Sequence, residues 1–277
     1  MKWMCIDIET LPQGARDWRA MQEAGDFDAA AAFLSQLEER AEAEGAMPAA
    51  PERQPVPRNL RDPAKIEAAQ QQREAEYIDA LERHTADRAA AALDWWRGGS
   101  LLASRGEIAC IAYSIPGSNK ICVTDFDERT ALVELDAAMR AERPSVVFAW
   151  NAQFDAGFIG QRAIVRDLDS LAGRFAAPRW PLSRDLGLRD SLPKVIDASE
   201  LWPIAGGRYG AGKGERKLAT ACKVLGIDHG VANPIDGSQV LDAFLAGRDE
   251  DIRAHAAADV RDLVAVVRRL LAVHGVG

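Results

Sequence analysis

The stretch MKWMCIDIET, residues 1–10, sets two carboxylates into an apolar run at the start of the chain. Asp7 and Glu9 are two residues apart, so in a strand their side chains share one face while Ile6 and Ile8 share the other. We expect the acids at the carboxyl end of this strand, where open α/β sheets form their ligand crevices. An isolated D-x-E pair more often points into water, so a site needs partners elsewhere in the chain.

The composition of the chain limits the classes of function to which such acids could contribute. The chain has 277 residues, 48% hydrophobic and 27% charged, which suits one large domain or a domain with an appendage. Its formal net charge of −8 argues against coating nucleic acid by bulk attraction but is compatible with a nuclease. Its four cysteines follow no disulfide or zinc pattern, and the sequence has no recognisable signal peptide or membrane span. We expect a cytoplasmic protein with no membrane partner.

Residues 15–98 differ in composition from the rest of the chain. They are rich in Ala, Glu, Gln and Arg, which favour helix, and the pattern predicts one helix over 15–45. After a proline-rich stretch, a second helix is expected from Pro63, with Asp62 as its N-cap, to the stop at Gly98. We call this segment the helical arm. It carries more acids than bases, so docking of a protein partner, self-association and covering of the site are all open roles.

Residues 1–14 and 99–277 are expected to form the main domain, into which the arm is inserted. The segments GEIACIAYSI and KICVTDF predict a β-hairpin with Pro116 and Gly117 in its turn. Helix and strand patterns alternate after this hairpin. A strand, a hairpin and then β-α-β-α units predict an α/β fold, with a mixed β-sheet flanked by helices.

Two further segments carry acids in comparable settings. In WNAQFDAGFI a strand runs into Asn151, and Asp155 falls in the first turn of the next helix, where the helix dipole alone would favour an acid. In HAAAD, His255 and Asp259 are four residues apart on one helical face. An exposed i,i+4 pair would also explain this spacing, and Asp262 competes with Asp259.

Taken in order, CIDIET, WNAQFDAGFI and HAAADV resemble the three motifs of the DEDD superfamily of 3′-5′ exonucleases, which has a ribonuclease H-like fold. The segments KLATACKVLGI, DGSQV and DEDIRAHAAADVRDLVAVVRRL resemble predicted exonucleases related to the proofreading domain of B-family DNA polymerases. NLRDPAKI in the arm resembles phage-encoded and prophage-encoded members. The resemblance implies a bacterial or phage-infected cell.

The resemblance also implies that Asp7, Glu9, Asp155 and Asp259 hold two divalent metal ions, Mg²⁺ or Mn²⁺. Four converging acids repel one another unless cations are present, and hard oxygen ligands suit Mg²⁺. Such ions would act on the scissile phosphate at the 3′ end of single-stranded DNA. RNA stays open as a substrate, because no residue visibly reads a 2′-hydroxyl. The non-enzyme alternative is a nucleic-acid-binding scaffold whose activity has lapsed.

His255 combines features of two branches of the family. One branch has a His five residues before the last Asp and another has a Tyr four residues before it, whereas His255 lies four before Asp259. A histidine can accept a proton from the attacking water near neutral pH, or orient that water. We assign His255 to one of these two roles.

Four residues beside the acidic motifs are expected to contact the nucleic acid. Thr10 and Leu11 follow the first motif and are placed to touch the terminal nucleotide. Asn151 and Phe154 belong to the second motif, where they would contact the sugar or stack on a base. Core packing is an equal alternative for Phe154.

The loop GGRYGAGKGERK offers basic residues to the phosphates of a strand. Arg208 and Lys213 are the expected contacts. The loop satisfies G-x-x-x-x-G-K, yet Gly214 stands where a nucleotide-binding loop needs Ser or Thr for magnesium. We therefore prefer a nucleic-acid contact, or a plain connecting loop, to a nucleoside-triphosphate site.

Overall fold

A computed structural model describes residues 2–56, 61–175, 194–202, 217–228 and 234–273. The chain divides into two compact units, one formed by Met1–Gln13 with Gly99–Gly277 and the other by Gly14–Gly98. Within the described ranges, no helix has the length and apolar character needed to cross a membrane.

The first unit is built on a five-stranded mixed sheet. Its strands are β1 (Trp3–Pro12), β2 (Gly106–Ser114), β3 (Ile121–Val123), β4 (Val146–Ala149) and β5 (Lys194–Asp197), in the order β3-β2-β1-β4-β5. Strand β2 is antiparallel to β1 and β3, whereas β4 is parallel to β1 and β5. The predicted α/β class with a mixed sheet is confirmed.

Seven α-helices are described in this unit. They are α4 (Glu128–Glu142), α5 (Ala152–Val165), α6 (Asp169–Phe175), α7 (Ala198–Leu201), α8 (Leu218–Leu225), α9 (Val240–Leu245) and α10 (Asp249–Val273). Short 3₁₀ turns occupy Gly98–Leu101 and Gly237–Gln239. The predicted hairpin turn is present, with Ser118 donating its N–H to the Ile115 carbonyl (3.1 Å) and Gly117 at φ +75°.

The two faces of β1 bury different partners. Met4, Ile6 and Ile8 belong to a core cluster that includes Leu135 of α4 and Ile159 of α5. Helix α10 packs against both β1 and β2. Because side chains alternate along a strand, Asp7 and Glu9 face away from the aliphatic cluster, as predicted from their spacing.

The acids do not lie at the end of their strand, so that expectation is wrong. Strand β1 continues to Pro12, because it stays paired with β2 over its whole second half. The ladder has a bulge between Glu9 and Thr10, a feature often found beside functional sites. The parallel pairing with β4, however, stops at Cys5. Asp7 therefore lies just beyond the carboxyl end of β4.

A buried ion pair joins α4 and α5 to the sheet. Strand β3 pairs with β2 only from Ala112 onward, so the N–H of Ile108 is bonded by the Glu128 carboxylate instead, at 2.9 Å. Glu128 is 1% exposed and accepts hydrogen bonds from Arg162 (2.8 Å, twice) and Arg166 (2.6 Å). This network fixes α5, the helix that carries Asp155.

The second unit, the helical arm, contains α1 (Ala15–Ala24), α2 (Phe27–Ala43) and α3 (Pro63–Arg97). The single helix predicted over 15–45 is wrong. Gly25 adopts a left-handed conformation (φ +66°) that ends α1, and Asp26 starts α2 by accepting the N–H of Ala29 at 3.0 Å. The predicted start of α3 is confirmed, since Asp62 accepts the N–H of Ala64 at 3.0 Å and Pro63 is its first residue.

The arm has a small aromatic core of its own. Trp18, Phe33 and Trp96 pack with ring centroids 5.4 to 6.4 Å apart. Gly14 must remain glycine here, because its φ is +85° and a Cβ would lie 2.9 Å from the Phe33 ring. These contacts hold α1, α2 and the end of α3 together.

Candidate active site

A hydrogen bond from the backbone N–H of Ile8 holds the carboxylate of Asp155 against β1. Ile8 lies opposite Ile111, whose own N–H and C=O both bond Thr124 on the far side. The N–H of Ile8 therefore points the other way, past the end of β4. The carboxylate of Asp155, in the first turn of α5, accepts a hydrogen bond from it. Asp155 is 3% exposed, so this bond satisfies a buried donor.

Helix α10 supplies a histidine and an acid from the opposite direction. His255 Nε2 lies 3.4 Å from Glu9 Oε1, and His255 Nδ1 lies 3.9 Å from Asp259 Oδ1. His255 and Glu9 are both buried, whereas Asp259 and Asp7 are partly exposed. The predicted pair on one face of α10 thus meets the predicted pair on β1.

The four carboxylates act on one another electrostatically. Burial first, and then the charges of Glu9, Asp155 and Asp259, raise the pKa of Asp7 well above its ordinary value. Burial, followed by Asp259 and Asp155, does the same to the pKa of Glu9. Burial also raises the pKa of Asp155 to about 8, although its backbone hydrogen bonds oppose the rise. Asp259, not the competing Asp262, is among the charges that act on Asp7 and Glu9.

This donor set has the composition that a hard cation needs, since it consists of several anionic oxygens that repel one another. Among the residues that the structure describes, however, no three His, Cys, Asp or Glu side chains form a group ready to hold one ion. Metal binding by Asp7, Glu9, Asp155 and Asp259 stays a prediction.

The other predicted contacts are placed differently from one another. Asn151 is exposed beside the site and Thr10 is partly exposed, so both can meet a ligand. Phe154 is partly buried and packs its ring 5.6 Å from that of Phe158, which supports its core-packing alternative. Leu11 is fully buried, which contradicts its expected contact with a nucleotide.

The glycine-rich loop with Arg208 and Lys213 lies outside the described residues. The predicted contacts of these two residues with phosphates therefore stay predictions.

Two acids near the site were not predicted from the sequence. Asp197, at the end of β5, accepts the N–H of Asn151 at 3.0 Å, and its charge adds to the raised pKa of Asp155. Asp236 lies near His255: its hydrogen bonds to Ser238, and to a smaller extent the charge of His255, lower its pKa. Asp197 is the last residue of β5, and Asp236 precedes the 3₁₀ turn Gly237–Gln239. A carboxylate at the end of a predicted strand was the available signal for Asp197.

The described residues define an α/β protein with four mutually repelling carboxylates and a histidine where β4 ends. Comparison of the chain with models of known protein families, and with curated proteins, found no match. Any functional conclusion therefore rests on the chain's own residues.

Asp155→Asn is expected to stabilise the metal-free protein at alkaline pH. The folded-state pKa of Asp155, about 8, lies above its unfolded value, so the folded chain binds this proton more tightly. Stability then falls as pH rises from the unfolded pKa, about 4, through the folded pKa. Asparagine removes that buried charge, so the gain should be negligible near pH 4 and on the order of a few kcal/mol near pH 9.

Urea unfolding in EDTA at these two pH values measures the effect. Asp127→Asn, a change at the exposed N-cap of α4, is the control and should leave the free energy of unfolding unchanged at both pH values. If Asp155→Asn were no more stable than the unsubstituted protein near pH 9, Asp155 would not be a destabilising buried charge.

Proposed function

We propose that this chain is a metal-dependent 3′-5′ exonuclease that hydrolyses single-stranded DNA from its 3′ end. One observation carries the proposal: the charges of Glu9, Asp155 and Asp259, which come from three separate elements, raise the pKa of Asp7 beside the end of β4, and those of Asp155 and Asp259 also raise the pKa of Glu9. Grouping like charges in a partly desolvated place destabilises a protein, so a function that uses cations explains it better than packing does.

We infer further that the fold is ribonuclease H-like. What supports this inference is the mixed sheet with its antiparallel edge hairpin, together with the positions of the three motifs on β1, α5 and α10. The order of these motifs along the chain is the one that the resemblance requires.

The proposed mechanism assigns a task to each side chain. Two divalent cations, Mg²⁺ or Mn²⁺, would supply Lewis-acid chemistry to the scissile phosphate when bound by the four carboxylates. His255 lies between Glu9 and Asp259, so one ring nitrogen can be oriented by a carboxylate while the other accepts a proton from the attacking water. Asn151, which is exposed, and Thr10, which is partly exposed, are available to the terminal nucleotide.

Cleavage of 5′-labelled DNA and RNA strands of one sequence tests this function. With Mg²⁺ or Mn²⁺, the labelled DNA should shorten one nucleotide at a time from the 3′ end, and Asp7→Ala should abolish the ladder. Shortening of RNA alone would favour the exoribonuclease alternative. Intact DNA and RNA under both metals would favour the scaffold.

His255→Ala is expected to lower turnover at least about tenfold, because a general base typically contributes about a hundredfold or more. Metal-dependent affinity for a strand with a non-hydrolysable 3′ linkage should stay nearly unchanged, since the carboxylates are retained. Single-turnover rates and fluorescence anisotropy measure the two quantities.

His84→Ala is the matched control, because His84 lies in α3 of the arm and is not a predicted site residue. Its turnover should equal that of the unsubstituted protein. Unchanged turnover in His255→Ala would remove His255 from the mechanism.

A further inference from the structure

Asp197 joins the ends of two neighbouring strands. It is the last residue of β5 and lies in register with Ala149, the last residue of β4. Its Oδ1 accepts the N–H of Ser199 at 2.9 Å, which caps α7, and also the N–H of Asn151 at 3.0 Å. The second bond spans 46 residues of sequence, so capping of α7 does not account for it.

Asn151 is the residue that this second bond controls. Its backbone is left-handed, with φ 65° and ψ 48°, a conformation that costs a residue other than glycine about 1 kcal/mol or more. Within the described part of the chain, its side chain makes no capping bond to α5. Its carbonyl accepts the N–H of Phe154 at 2.8 Å, so the backbone of Asn151 sets the first turn of α5.

The first turn of α5 in turn places Asp155. The carboxylate of Asp155, four residues after Asn151, accepts the N–H of Ile8, and its charge acts on Asp7 and Glu9. A change in the conformation of Asn151 would swing this turn and displace the Asp155 carboxylate. Residues that orient ligands in this way typically affect metal affinity by about 10- to 100-fold.

We propose that Asp197 is a positioning residue, which holds Asn151 in its left-handed conformation and thereby aims Asp155 into the site. This inference rests on the proposed metal-binding function. Because its Oδ1 accepts hydrogen bonds from two backbone amides, Asp197 acts on Asn151 as a hydrogen-bond acceptor. Substitutions can distinguish the effect of the hydrogen-bond acceptor of Asp197 from the effect of its charge.

Binding of Mn²⁺, followed by the EPR signal of the free ion, provides a readout that does not depend on nuclease activity. Asp197→Ala, which removes the acceptor, should weaken Mn²⁺ binding about tenfold or more. Asp197→Asn keeps an acceptor oxygen without the charge and should bind Mn²⁺ within about threefold of the unsubstituted protein. Asp197→Ser retains a cap for α7 but shortens the reach toward Asn151, so it should behave like Asp197→Ala while remaining folded.

Asp127→Ala is the matched control. Asp127 caps α4 by accepting the N–H of Thr130 at 2.8 Å, with backbone angles close to those of Asp197. Its removal should cost a similar amount of stability and leave Mn²⁺ affinity unchanged.

Amide hydrogen exchange provides a second readout that needs no metal. Asp197→Ala should accelerate exchange at Asn151 and in the first turn of α5, and Asp127→Ala should do so only in α4. Unchanged exchange in α5 together with unchanged Mn²⁺ affinity would overturn the proposal, and so would equal losses in Asp197→Asn and Asp197→Ala. If the unsubstituted protein bound no Mn²⁺, the proposed function would fail, while exchange would still decide whether Asp197 positions α5.

Discussion

Replacing Asp7 by Asn is expected to lower the rate of 3′-end cleavage by about a thousandfold, the largest effect on activity for any single residue of the site. Asp7 is the carboxylate whose pKa is raised by all three of the other acids, Glu9, Asp155 and Asp259. Metal ions typically supply several kcal/mol of transition-state stabilisation, and each 1.36 kcal/mol corresponds to about tenfold in rate. If Asp7 binds metal as proposed, its loss should remove most of that contribution.

Single-turnover cleavage at saturating Mn²⁺ measures this loss. Asp7→Asn should remain folded and melt at a higher temperature than the unsubstituted protein in EDTA, because it removes one of the repelling charges. Asp228→Asn, an exposed acid in the same unit, is the control and should cleave normally. Activity of Asp7→Asn within tenfold of the control would exclude Asp7 from the metal site.

Glu128→Ala is expected to lower the free energy of unfolding by about 3–5 kcal/mol, the largest effect on stability, because it leaves a buried cation unpaired. Arg162, the cation in question, is 6% exposed and bonds Glu128 at 2.8 Å through two nitrogens. Burial alone would raise the pKa of Glu128, but hydrogen bonds from Arg162 and Ile108 outweigh it and hold that pKa below the ordinary value. The stabilisation should therefore be lost as pH falls through this lowered pKa.

Urea denaturation near neutral pH measures the loss in the free energy of unfolding that Glu128→Ala causes. Arg248→Ala is the control, because its pair with Asp251 (3.2 Å) is exposed and should contribute less than about 1 kcal/mol. Replacing Glu128 and Arg162 together by Leu should restore much of the loss. A loss below about 1 kcal/mol in Glu128→Ala would mean that this network does not anchor α5 to the sheet.

Local signals in the sequence predicted several elements of the fold. Pro116 and Gly117 define the hairpin turn because of their backbone preferences, and Asp62 with Pro63 defines the start of α3. The break between α1 and α2 was not predicted. A single glycine such as Gly25 lowers helix stability by only about 1 kcal/mol, so the Ala-rich pattern on either side of it still predicts one continuous helix. The second half of β1 was missed because its pairing depends on β2, which follows the whole arm in sequence.

The site was predictable to the extent that its chemistry follows fixed spacings. Asp7 and Glu9 share one face of a strand, and His255 and Asp259 share one face of a helix. The periodicity of a strand and of a helix is enough to predict that the members of each pair lie together. The position of Asp197 at a strand end was predictable, but its role was not, because that role depends on a hydrogen bond to a residue 46 positions away. The burial of Leu11 was missed for a related reason, since pairing with β2 extends β1 past the first motif.

Anomalous diffraction from Mn²⁺-soaked crystals tests the central claim most directly. Our proposal predicts two Mn²⁺ ions about 3.5–4 Å apart, both ligated by carboxylates from the set Asp7, Glu9, Asp155 and Asp259. Manganese bound only elsewhere on the protein, with these four carboxylates unligated at saturating Mn²⁺, would contradict it.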